Sequence, residues 1–160
     1  MFFSSTSLAL MLSCFIGVAL SDPPLQCQQV SLNSNGFNYR RQVQSNVAEV
    51  RSMSLISQRS RSPCINGSSY GFYGQSVWVN NGCRANFNVC SVPGANTEIT
   101  CSSRNYKTAV CNTGHQIRAV SIKRHISNSP CVEGFSYRTT GSQLQVFNGC
   151  RATFIVGYWD

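Results

Sequence analysis

Ser62-Pro63-Cys64-Ile65-Asn66-Gly67-Ser68-Ser69-Tyr70-Gly71, followed by Val77-Trp78-Val79-Asn80-Asn81-Gly82-Cys83-Arg84-Ala85-Asn86-Phe87, occurs twice in this chain. The second copy is Ser129-Pro130-Cys131-Val132-Glu133-Gly134-Phe135-Ser136-Tyr137, then Leu144-Gln145-Val146-Phe147-Asn148-Gly149-Cys150-Arg151-Ala152-Thr153-Phe154. The copies align without a gap. A duplicated stretch of this kind is one structural unit used twice, so fold and function are argued for the module.

Working outward, the pattern is that of short strands. Val77 and Val79 point one way and Trp78 the other. Ala85, Phe87 and Val89 share a face opposite Arg84, Asn86 and Asn88, and Ala152, Phe154 and Val156 repeat it. Met53 and Leu55 alternate with Ser52 and Ser54, and Val120 and Ile122 with Ala119 and Ser121. Period two with β-branched residues predicts half-buried strands. Asn81-Gly82 and Asn148-Gly149 predict hairpin turns, and Gly74 another turn. Few residues favour helix. The expectation is an all-β, disulfide-rich protein of two tandem pseudo-symmetric modules, each with three or four short antiparallel strands. One module alone buries little surface, so the two are expected to pack about a pseudo-twofold axis, or the chain to form a homodimer.

Residues 1–21 read as a secretory signal peptide, with an apolar run from Leu8 to Leu20 and small Ala19 and Ser21 before the cut. Module 1 is then 22–90, a linker 91–100 carries Pro93, Gly94 and Asn96, and module 2 is 101–160. Cys14 leaves with the leader. Cys27, Cys64, Cys83, Cys90, Cys101, Cys111, Cys131 and Cys150 remain, an even number that implies disulfides in a secreted chain. There is no Cys-x-x-Cys pair and no ligand-spaced histidine, so no metal site or cofactor is expected. With Cys27 and Cys101 taken as equivalent openers, one scheme pairs Cys27–Cys83, Cys101–Cys150, Cys64–Cys90 and Cys111–Cys131. Pairing Cys64–Cys83 and Cys131–Cys150 is the open alternative.

The chain carries 13 Lys and Arg against 5 Asp and Glu, a formal net charge of +8. Such a surface attracts polyanions: acidic polysaccharide, nucleic acid or anionic membrane. Catalysis finds little support. His115 and His125 are absent from the first copy, and no carboxylate pair sits in a hydrolase pattern, so no catalytic residue is assigned. Sugar binding is better served. It needs an aromatic face for the ring, amides for hydroxyls, and an arginine fork for any carboxylate. Tyr70, Trp78, Asn81 and Arg84 supply these in module 1, and Tyr137, Asn148 and Arg151 in module 2. Asn66-Gly67-Ser68 is an N-glycosylation sequon at Asn66.

The pattern Ser-x-x-Cys-x-x-Gly-x-Ser-[Tyr/Trp], then [Ile/Val]-Trp-Val-x-x-Gly-Cys-Arg-Ala-x-Phe, resembles the small cysteine-rich lectins of gastropod eggs and gonads. These are sea-hare egg lectins that bind galactose and galacturonic acid. It also resembles a bacterial secreted domain of unknown function with the same Gly-Cys-Arg-Ala-x-Phe ending. Ser62, Cys64, Gly67, Ser69, Tyr70, Val77, Trp78, Val79, Gly82, Cys83, Arg84, Ala85 and Phe87 carry the likeness, and Cys131, Gly134, Ser136, Tyr137, Gly149, Cys150, Arg151, Ala152 and Phe154 repeat it. The family commonly has Trp where this chain has Tyr70 and Tyr137, and Gln145 replaces the Trp78 equivalent. The resemblance implies a metal-independent lectin, often dimeric, in egg protection or innate immunity.

The reading is therefore a secreted, extracellular carbohydrate-binding protein for galactose-type sugars, galacturonic acid among them, with glycoconjugates or acidic polysaccharide as partners. It expects no membrane span, no specific nucleic acid and no enzyme activity. A structural egg-coat or matrix protein and a secreted basic nuclease or antimicrobial protein are the alternatives.

Overall fold

A computed structural model describes residues 23–159. The expected leader lies outside the described residues. The first half contains β1 (Gln26–Asn33), β2 (Arg40–Val43), β3 (Val47–Gln58), β4 (Tyr70–Tyr73), β5 (Ser76–Val79) and β6 (Arg84–Pro93). The second contains β7 (Ala95–Ser102), β8 (Ala109–Asn112), β9 (Ile117–His125), β10 (Tyr137–Thr140), β11 (Gln143–Val146) and β12 (Arg151–Tyr158). Each half is a pair of three-stranded antiparallel sheets. They run β1-β6-β3 with β2-β5-β4 in the first half, and β7-β12-β9 with β8-β11-β10 in the second. The strand order is the same, so the sequence repeat is a repeat of fold. A single 3-10 turn, Arg104–Tyr106, is the only helical element among the described residues.

Alternation builds the two cores. Val77, Val79, Ala85, Phe87 and Val89 are fully buried, while Trp78 on the other face is half-buried. Ala152, Phe154 and Val156 repeat this in the second half. The two sheets of each half close on these faces as a small sandwich. Six strands form per half, against the three or four expected. The extra ones include β2 and β8, four residues each, too short for a period to show in the sequence.

Three local expectations are corrected. Asn81 and Gly82 both take positive φ (51° and 75°), as a tight turn requires, and the Cys83 amide bonds the Asn80 carbonyl at 3.0 Å. They do not make a hairpin, because β5 and β6 belong to different sheets; the same holds at Asn148-Gly149. Gly74-Gln75 and Gly141-Ser142 are the real hairpin turns. Leu55 shares the face of Met53, the two lying in unbroken register opposite Phe87 and Val89 on β6, but it is not buried with Met53: toward the end of β3 it is 38% exposed. Segment 91–100 is strand on both sides of Gly94, with Ser91 and Val92 buried.

The disulfides are Cys27–Cys90, Cys64–Cys83, Cys101–Cys111 and Cys131–Cys150. The favoured scheme is thus wrong and its alternative right for the repeated bonds. The error was to equate Cys27 with Cys101. Cys101 lies opposite Ala152 on β12, as Leu32 lies opposite Ala85 on β6, so Leu32 is its true counterpart. Cys27 faces Cys90 directly across β1 and β6, whereas Cys101–Cys111 ties β7 to β8 and so joins the two sheets of the second half.

The halves pack through β3, which meets β12, β7 and β9. Gln75, fully buried on the β4–β5 turn, donates to the Ala48 carbonyl at 3.0 Å and the Ala119 carbonyl at 2.8 Å. Its carbonyl oxygen accepts from Ser121 Oγ at 3.1 Å. Ser142, its counterpart, makes no such bond among the described residues. The halves are alike, but their packing is not the reciprocal twofold arrangement expected.

Candidate functional site

The packing leaves a groove of about 940 Å³ between the halves. One wall is β2, β4 and β5 of the first half; the other is the end of β9 with the Cys131–Tyr137 segment. Trp78 forms the apolar part of the first wall. Its cross-strand neighbour is Gly71, and a Cβ on Gly71 would lie 2.8 Å from the indole. Glycine there lets the ring lie flat on the sheet. Tyr39 stacks alongside, with ring centroids 5.8 Å apart and planes 27° apart. The second half has the pair Arg138 and Gln145 at this place, joined by a 2.9 Å hydrogen bond. An aromatic platform therefore exists on one half only.

Charge is concentrated in the same groove. Arg41 donates to the Ile122 carbonyl and, at 2.9 Å, to the Lys123 carbonyl, which fixes one wall to the other. Lys123 is paired with Glu98. Among the described residues, the Arg40 and Arg124 guanidinium groups, on opposite walls, have no hydrogen-bond or ion-pair partner. His125 lies beside Arg124. At the far end, the Tyr73 hydroxyl bonds Glu133 Oε2 at 3.0 Å and meets the Tyr137 hydroxyl. Burial, with the Tyr137 and Glu133 contacts behind it, pushes the Tyr73 phenol well above its usual range. Burial likewise raises Tyr137, against a lowering by the bond to Tyr73. Burial raises Tyr39, which Arg41 partly opposes. All three remain neutral hydrogen-bonding phenols at physiological pH.

Of the sequence-derived residues, the groove brings together Trp78 and Tyr137. Tyr70 is 8% exposed and packs on Phe87 in the core, with centroids 4.8 Å apart. Asn81 is an exposed turn residue with φ of 51°. Asn148 takes φ of 53°, and its Nδ2 donates to the Phe135 carbonyl at 2.9 Å. Arg84 and Arg151 are exposed but lie away from the groove, each in a smaller polar pocket of its own half. Asn66 is exposed on a turn. Tyr39, Arg40, Tyr73, Arg124, His125 and Glu133 were missed. The usable signal was difference between the copies: in register, Ala109 replaces Arg40 and Thr140 replaces Tyr73.

His115 and His125 bracket β9, and His115 stacks on Tyr158. At ~3.3 Å per residue they are roughly 30 Å apart along the strand, so they form no acid–base pair. No cluster of three or more His, Cys, Asp or Glu among the described residues could hold a metal ion. No helix among them is long and apolar enough to cross a membrane.

The fold and groove define a class: a two-module, disulfide-bonded β protein with a mixed aromatic and cationic cleft between its halves. The chain belongs to the family described as proteins of unknown function, DUF3011, whose model matches residues 30–160. It is also 34% identical over 143 residues to the lectin ADEL of the sea hare Aplysia dactylomela, covering 86% of this chain and 66% of that protein. No solved structure matches the chain.

Proposed function

We propose that the protein is a secreted lectin whose sugar site is the groove between the halves. Trp78 carries the reading. It is a partly exposed indole set flat on a glycine, flanked by Tyr39, and a pyranose ring can lay its apolar face there. Arg40 and Arg124 stand on either side, charged and unengaged. An arginine fork suits a carboxylate better than a neutral hydroxyl. Tyr73 and Glu133, backed by the buried Tyr137 hydroxyl, supply hydroxyl-directed hydrogen bonds at the far end. Galactose-type sugars fit this set, with galacturonic acid favoured over the neutral ring. The similarity to a sea-hare lectin supports the same reading. The four disulfides accord with an extracellular location.

Titration of the mature protein with galacturonic acid, galactose and glucose at physiological salt tests this. The expected result is saturable binding of the first two and none of glucose. Trp78→Ala is expected to weaken binding more than tenfold, a loss of about 1.4 kcal/mol or more. Arg40→Gln is expected to remove the preference for the acid at the groove, read in the emission of Trp78, while leaving galactose bound. Binding that is unchanged in Trp78→Ala, or equal for all three sugars, would place the site elsewhere.

A further inference from the structure

We propose that the chain carries a second kind of site, present once in each half, which takes the oxyanion of an acidic sugar, a sulfate ester or a carboxylate. This does not depend on the groove. In the first half, a polar pocket of about 530 Å³ lies where the Asn81-Gly82 turn meets the loops after β1 and β3. The second half has its equivalent, about 510 Å³, at the Asn148-Gly149 turn. Both fall in the range of small-ligand pockets.

Each pocket has a fixed floor. Ser34 Oγ accepts from the Gly82 amide at 3.2 Å and donates to the Asn38 carbonyl at 2.6 Å. Ser60 Oγ accepts from the Arg84 amide at 3.0 Å and donates to the Ser62 carbonyl at 2.7 Å. Ser103 and Ser127 repeat both pairs around Gly149 and Arg151. Glycine at the turn keeps the floor open. A Cβ would lie 2.8 Å from Ser62 Oγ at Gly82, and 2.7 Å from Ser129 Oγ at Gly149.

Above the floor the side chains are unengaged. Among the described residues, Arg84, Arg61, Asn35 and the Ser62 hydroxyl have no hydrogen-bond or ion-pair partner. Nor do Arg151, Arg104, Asn128 and the Ser129 hydroxyl. The two sets match in kind but not in position. Asn35 stands where the second half has Arg104, and Arg61 where it has Asn128, each beside a matching floor serine. Either way a pocket holds two guanidinium groups, a carboxamide and an unengaged serine hydroxyl, to which the second adds Asn105 and Tyr106. The arginine has changed rims and the pair of guanidinium groups has been kept. Two cations without a counter-ion beside fixed hydrogen-bonding groups are suited to an oxyanion, which the guanidinium fork can bind in two parallel bonds. The first pocket has no aromatic platform, so the anion, rather than ring stacking, must supply the affinity.

The test is an amide and arginine side-chain NMR titration of the full mature protein. Its ligands are galactose 6-sulfate, galacturonic acid and galactose, with sodium chloride as the screening control. The expected result is saturable shifts at the Gly82 and Gly149 amides with one or both acidic sugars and not with galactose. Which acid acts tells sulfate from carboxylate. Arg84→Gln and Arg61→Gln should weaken the first response more than tenfold and leave the second intact, and Arg151→Gln and Arg104→Gln the reverse. The untouched half in each variant reports that the protein is folded. Silent Gly82 and Gly149 amides would overturn the proposal, as would equal shifts with sodium chloride. The Trp78 indole signal is read in the same spectra, so a failure of the groove is seen separately.

Discussion

Gly157 is where the first half presses hardest on the second. A Cβ there would fall 1.8 Å from the Ala48 carbonyl oxygen and 2.3 Å from Gln75 Nε2. Gly157→Ala is expected to destabilise the protein by about 3 kcal/mol or more through overpacking, read as a lowered midpoint in urea. Gln75→Ala leaves the Ala48 and Ala119 carbonyls and the Ser121 hydroxyl without that partner in a buried place, at a cost of roughly 2–3 kcal/mol. The Tyr73 phenol gives a pH signature. Its folded pKa lies above the ordinary value of 10.0, so the unfolded chain releases that proton first. The contribution of the protonated Tyr73 phenol, bonded to Tyr137 and Glu133, is complete below pH 10 and is lost as pH rises beyond it. Denaturation midpoints for wild type should fall more steeply above pH 10 than those of Tyr73→Phe; parallel curves would rule this out. At this scale the sequence was informative where alternation fixed a direction. Trp78 was correctly placed opposite Val77 and Val79. Tyr70 and Tyr137 look identical in sequence, and both rings are core, packed on Phe87 and Phe154, yet only the Tyr137 hydroxyl reaches Tyr73 of the other half.

The strands were legible where they carry core, as at 77–79, 84–89 and 151–156. They were not legible at β2, β4 and β8, whose four-residue segments have too few buried side chains to show a period. The exposure of Leu55 was not legible for a different reason: it keeps the face of Met53, and how far the core extends along β3 is set by packing, not by period. Disulfide pairing failed through a wrong equivalence between Cys27 and Cys101, and sheet register supplies the right one. The two unshared bonds should then differ in weight. Cys27–Cys90 closes a separation of 63 residues and Cys101–Cys111 one of 10. By loop-closure entropy, replacing each pair with serine should cost about 4 and about 3 kcal/mol respectively. Thermal denaturation of the two double variants checks the order. A larger loss from the shorter loop would show that joining the sheets of the second half matters more than chain entropy.

Across the whole molecule, repetition and difference divide the labour. What the copies share, the Cys64–Cys83 and Cys131–Cys150 bonds, the turn glycines and the inward aliphatic and phenylalanine side chains, makes two alike sandwiches. What they do not share makes the groove: Trp78 against Gln145, Arg40 against Ala109, Tyr73 against Thr140. Sequence reading weighted the shared residues and so found the fold more fully than the groove, which exists only once the halves meet. The central claim is that a sugar ring lies on Trp78. Trp159, held against Arg118 with 3.7 Å between the guanidinium carbon and the ring centroid, is the only other tryptophan in the chain. In Trp159→Phe, emission therefore reports Trp78 alone. Titration of that variant with galactose, which the two arginine pockets are not expected to take, is expected to change the Trp78 emission saturably, with a midpoint matching calorimetric binding. Calorimetric binding with an unchanged Trp78 spectrum would contradict the account.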